Sequence, residues 1–146
     1  MQRYVLLLAL LFASVALAAC GGETARSTDT IGASVLVEPN AEEAQWFRDV
    51  EVEEGTDGYE LLLEATGGQV EAEFYGEFQS HFVESVLGIA PEGAEFWGVF
   101  LWNEESESWE PLPEAADFHT VEDGDIMGWA LVEYDESQVN LPASQP

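Results

Sequence analysis

Hydrophobic and polar positions divide this chain into an apolar leader, a spacer of small residues, and a body whose period switches from two to 3.6 and back. Val5 to Ala16 form an apolar run that follows a short start carrying Arg3. A run of about a dozen residues is short for a membrane span, which needs ~20, so residues 1–19 are expected to be a signal peptide. Gly21 to Ala33 hold Gly, Ser, Thr and single charges, the composition of a flexible linker. The segment Ser34-Val-Leu-Val-Glu38 then predicts a short strand ended by Pro39, which lacks a ladder donor. From Val50 the chain alternates, with Val50 and Val52 on one face and Glu51 and Glu53 on the other, as in a half-buried strand.

The stretch TDGYELLLEATGG changes period. Thr56 or Asp57 can cap a helix, Tyr59, Leu62 and Leu63 fall at i, i+3 and i+4, and Gly67 suits a left-handed stop. Alternation returns in QVEAEFYG, where Val70, Ala72 and Phe74 oppose Glu71, Glu73 and Tyr75. HFVESVLGI follows, with Gly88 as a turn or bulge, and EFWGVFLWN (Glu95 to Asn103) is apolar on both faces, as a central strand would be. Residues 104–120 read as a polar excursion, Asp125 to Tyr134 as the last strand, and 135–146 as a polar tail. The expected fold class is α+β, with a mixed sheet of four or five strands and one helix in a domain spanning 34–134.

Composition sharpens this. Thirty acidic residues face three Arg and no Lys, a formal charge of −27, yet 47% of the chain is apolar. That is too hydrophobic for a disordered acidic segment, so the charge decorates a folded body. It also opposes nucleic-acid binding, which needs Lys and Arg to neutralise phosphates. The lone cysteine, Cys20, rules out an intrachain disulfide. It closes the apolar run as Leu17-Ala-Ala-Cys20, which resembles the lipobox of bacterial lipoproteins. That resemblance implies lipidation of Cys20, cleavage before it, and an extracytoplasmic domain tethered to the cell membrane or outer membrane. Gly21 is not the Asp that holds many such proteins at an inner membrane, which favours an outward destination. Mass spectrometry of the native protein is expected to find a chain beginning at an acylated Cys20; an unmodified thiol with residues 1–19 attached would contradict this.

A second resemblance is carried by FVESVLGI (Phe82 to Ile89), FWGVFLWN (Phe96 to Asn103) and EDGDIMGWALVEY (Glu122 to Tyr134). In this order they resemble the carboxy-terminal domain of transcobalamin and intrinsic factor. The matching positions are Phe82, Val83, Ser85, Val86 and Gly88, then Phe96, Trp97 and Asn103, then Gly124, Asp125 and Trp129. Glu104 stands where that family usually has Gly. The resemblance implies a β-grasp-like domain and a corrinoid as one ligand. The vertebrate carriers hold their ligand between this domain and a helical barrel that residues 34–134 do not include.

For catalysis the sequence offers little. His81 lies in an apolar strand and His119 in the polar excursion, and neither sits in a nucleophile motif. No glycine-rich loop links a strand to a helix start in the manner of a phosphate cradle. VEDGDI (Val121 to Ile126) clusters Glu122, Asp123 and Asp125 around a glycine but lacks the spacing and distal Glu of an EF-hand, and Asp-Gly is a turn signal. Divalent ions are therefore expected to bind weakly, with no resident metal or cofactor and no enzymatic activity. The aromatic residues are the better candidates. Trp97, Val99 and Leu101 share one face of their strand, and Phe96, Phe100 and Trp102 share the other. One helix covers only one face, so the other is either buried by the excursion or exposed for contact. Trp97, Trp102, Trp109 and Trp129 are the candidate ligand-binding residues, for a small planar ligand or an envelope partner protein. The alternative is a structural envelope lipoprotein with no small-molecule ligand.

Overall fold

The computed structural model describes residues 29–133 and 140–146. Cys20, the apolar leader and most of the spacer lie outside the described residues. The described residues form seven strands and one α-helix: β1 (Thr30–Glu38), β2 (Gln45–Glu53), α1 (Gly58–Thr66), β3 (Val70–Tyr75), β4 (Ser80–Val86), β5 (Glu95–Asn103), β6 (Ser108–Pro111) and β7 (Ile126–Glu133), with a 3₁₀ turn at Ala116–Phe118. Five strands build one sheet in the order β2-β1-β7-β5-β6, in which β1 and β7 run parallel and the other pairs antiparallel. β3 and β4 form a separate hairpin. The α+β expectation holds, with a mixed five-stranded sheet and one helix.

The helix begins where its capping residues put it. Asp57 accepts from the Glu60 N–H at 2.8 Å, and the Glu60 side chain reaches back to the Asp57 N–H, a reciprocal capping box. Burial holds the Asp57 carboxyl above its ordinary value, opposed by that backbone hydrogen bond. Gly67, at φ 63°, closes the helix, and the Gly67 and Gly68 N–H groups donate to Glu64 and Leu63 carbonyls. The buried face differs from the expected Tyr59, Leu62 and Leu63. Gly58, Leu61, Leu62 and Thr66 are buried, while Tyr59 and Leu63 are half-buried. The rotation follows from Gly58, where a Cβ would stand 2.7 Å from Met127 Cε and 3.1 Å from the Ala116 carbonyl oxygen. Only glycine lets the first turn approach β7 that closely.

Three further differences have local causes. β1 starts at Thr30, four residues before the expected Ser34, because Thr30–Ala33 pair with Val50–Glu53 of β2. Asp49 takes a positive φ of 52°, and the register shifts between Ala33 and Val35; this bulge lets Phe47, Val50 and Val52 all face the helix side. The polar excursion contains β6, which pairs Trp109 with Trp102 and Ser108 with Asn103. The tail is also placed. Ala143 and Ser144 N–H groups donate to the buried Glu38 carboxylate at 2.6 and 2.9 Å, and Pro142 is buried.

Two cores result. On one face of the sheet α1 and the hairpin pack Leu61, Leu62, Val83 and Val86 against Val35, Val37, Trp97, Met127 and Trp129. On the other, Leu36, Phe100, Trp109, Ala130 and Val132 form a smaller cluster with Trp46, Phe96, Trp102 and Ile126.

Candidate functional site

The register of β5 and β7 decides where the tryptophans go. Trp97 pairs with Leu131, Val99 with Trp129 and Leu101 with Met127, so these side chains share the helix-covered face. Trp97 and Trp129 are buried there, the latter 2% exposed, and neither indole N–H has a partner. Trp102 and Trp109 lie on the opposite face. Their rings meet edge-on at 5.3 Å, and Trp46 stacks against Trp109 at 6.3 Å. Arg48 caps Trp46 at 4.5 Å from the ring centroid, and the Trp109 indole donates to the Ser144 carbonyl at 2.7 Å. The four candidate rings are thus split into two pairs by the sheet and do not make one platform.

Exposed aromatic surface lies elsewhere, on the β3–β4 hairpin. Phe74, Tyr75, Phe78 and Phe82 are all exposed, Phe78 by 65% and Phe82 by 51%, and Phe118 of the adjoining 3₁₀ turn is exposed too. The pairs Val70↔Val86, Ala72↔Val83 and Phe74↔His81 make the inner face of the hairpin. Glu71↔Ser85, Glu73↔Phe82 and Tyr75↔Ser80 make the outer one. Tyr75 and Phe82 meet edge to face at 6.5 Å, a favoured quadrupole geometry. The Tyr75 hydroxyl donates to Glu73 at 2.9 Å, and that carboxylate holds the phenol above its ordinary pKa. Tyr75, Phe78, Ser80, His81, Phe82 and Ala115 line an open depression of about 380 Å³.

His81 ties this surface to the body. Its Nδ1 lies 2.6 Å from Asp117 Oδ1, and its backbone N–H also donates to that carboxylate. The imidazole stacks on Tyr59 at 4.0 Å and 11°, with Phe74 tilted against it at 5.0 Å. Burial, with the nearby Asp117 and Asp57 carboxylates, raises the Tyr59 phenol above its usual value. One histidine thereby fixes β4 to α1 and to the 3₁₀ turn, and the exposed rings are held on a positioned hairpin.

The acidic loop is occupied by backbone. Asp125 accepts from the Glu122 N–H and sits 3.1 Å from His119 Nε2, while Asp123 accepts from the Gly32 N–H. Among the described residues no three His, Cys, Asp or Glu side chains converge to hold a metal ion. A second, larger depression of about 770 Å³ lies between β2 and α1 and is lined by Glu51, Glu53, Glu60 and Glu64 with Thr30 and Leu63.

No family model and no curated protein matches the chain. Solved structures do. Haptocorrin, crystallised in complex with Cbi, superposes with a TM-score of 0.60 at 15% identity, over 74% of this chain and 26% of that one. The fold is shared with a domain-sized part of haptocorrin. The transcobalamin-like architecture implied by the strand motifs stands on this match. A proposed metal-binding protein from Ruminococcus gnavus, determined at 1.30 Å, superposes with a TM-score of 0.55 at 20% identity, over 72% of this chain and 99% of that one. The described domain therefore matches nearly the whole of one solved protein and about a quarter of another. At these identities the likeness is one of fold.

Proposed function

We propose that this chain is a lipid-anchored extracytoplasmic binding module with a β-grasp-like domain, that its hairpin presents an aromatic surface to a small planar ligand of the corrinoid type, and that it does no catalysis. The observation that carries the reading is the crowding of Phe74, Tyr75, Phe78 and Phe82 onto one short hairpin, exposed, in a chain with a charge of −27. Exposed apolar clusters of this kind mark contact sites. The shared fold with haptocorrin, whose crystal contains Cbi, supports the choice of ligand class.

The energetics follow from ring geometry. A planar ligand laid against Phe78 and Phe82 gains area burial plus roughly 0.5–1.5 kcal/mol for each well-placed aromatic pair. The outer face offers carboxylates at Glu71 and Glu73 beside these rings, so polar substituents on the ligand rim find acceptors. Titration of a corrinoid into the full chain, followed by the ligand's visible absorption, tests the reading. Binding is expected, and Phe78→Ala with Phe82→Ala should weaken it at least tenfold, since each 1.4 kcal/mol is a factor of ten. The fold should survive both changes because the side chains are already more than half exposed. Binding undiminished in the double variant, or no binding by the parent chain, would overturn it.

A further inference from the structure

We propose that the free edge of β3 is a docking site for an extended basic segment of a partner protein, which joins the hairpin as a third strand. The inference goes beyond the ligand reading, because it rests on the strand's backbone edge and its carboxylates. β4 pairs with one edge of β3, and among the described residues no strand pairs with the other. Such an edge leaves alternate N–H and C=O groups open to another chain. Natural edges are blunted by Lys, Pro or a bulge. β3 (VEAEFY) has no Lys or Pro, and the bulge opposite Glu71 and Ala72 puts the extra residue, Glu84, in β4. Four of its six residues, Glu71, Glu73, Phe74 and Tyr75, are exposed, and Val70 and Ala72 are half-buried.

Charge identifies the occupant. Glu71, Glu73 and Tyr75 alternate along the outer face of the edge strand. A second copy pairing here would bring carboxylates against carboxylates, and like charges placed opposite in a sheet destabilise the pairing. A segment with Lys or Arg at alternate positions meets the opposite case. Its backbone completes the edge, its cationic heads reach Glu71 and Glu73, and its next cation lies near the face of Tyr75. Among the described residues no such cation is supplied to the hairpin. Arg48, the one Arg or Lys among the described residues, is engaged over Trp46 in β2.

The test uses a seven-residue peptide of alternating lysine and valine with blocked ends, titrated into the full chain at low salt by fluorescence anisotropy. Hydrogen exchange of the unmutated protein should show new protection of amides in Val70–Tyr75. Methylating every internal backbone nitrogen of the peptide, which keeps its charge, should weaken binding at least tenfold. Glu71→Lys combined with Glu73→Lys should do the same. Protection appearing in the acidic groove of β2 and α1, equal binding of the methylated peptide, or no binding at low salt would each overturn the proposal. A corrinoid that fails to bind while the peptide binds removes the ligand reading and leaves this one standing.

Discussion

Replacing Trp109 by alanine is expected to destabilise the fold by about 3–5 kcal/mol, the range for deleting a large buried aromatic. Trp109 is 4% exposed and belongs to a short edge strand of four residues, so little else holds β6 in place. Its ring packs with Trp46 of β2 and Trp102 of β5 in the second core. Its indole N–H also holds the tail through Ser144, whose own N–H is bound by Glu38. The loss should therefore combine a cavity, a broken hydrogen bond and partial release of residues 140–146. Urea unfolding followed by far-ultraviolet circular dichroism measures it. A loss below about 1 kcal/mol would mean that the indole is a surface ring free to serve a ligand.

The second large effect comes from the opposite change beneath the same ring. In Gly128→Val the added Cβ would stand 3.0, 3.2 and 3.3 Å from three carbons of the Trp109 six-membered ring. β7 cannot move away, since β1 and β5 pair with it on both sides. Trp109 is held by its bond to Ser144. Overpacking of this kind costs about 1–3 kcal/mol, and more where neither partner yields. The gain in strand propensity, at most ~1 kcal/mol, offsets part of it. In the Trp109→Ala background the clash disappears, so the two changes should be strongly non-additive. A double-mutant cycle by urea unfolding reads that coupling, and simple additivity would contradict the packing described.

Much of this fold was legible in the chain because its signals are local. The cap at Thr56 or Asp57, the Gly67 stop and the apolar character of both faces of Glu95–Asn103 each depend on neighbours within a few residues. What escaped was set by distant pairing. Thr30–Ala33 look like linker until Val50–Glu53 lie beside them, and Ser108–Pro111 look like a polar loop until β5 pairs with them. The helix phase escaped because Gly58 reports on Met127, 69 positions away in number, and no local period encodes that approach.

The site proposed from the structure uses aromatic residues other than the four tryptophans expected from the sequence. Of the four candidate tryptophans, Trp97, Trp109 and Trp129 are buried and Trp102 is half-buried. Phe74, Tyr75, Phe78 and Phe82 carry the exposed surface instead. Phe82 and Tyr75 fall on the polar face of an alternating hairpin, so the signal was present: an aromatic residue at a position that alternation assigns to solvent. Phe78 lies in the turn, where an apolar ring has no packing role. Those are the positions where a sequence departs from its own pattern, and function is a common reason.

On the reading proposed above, the hairpin makes the contact and the tryptophans serve the core. Aromatic nuclear magnetic resonance of the full chain, recorded while a bound corrinoid is titrated in, tests it most directly. The Tyr75, Phe78 and Phe82 ring signals are expected to shift while the Trp102 and Trp109 indole signals stay in place. Shifts confined to the indoles, with the hairpin rings unmoved, would contradict it.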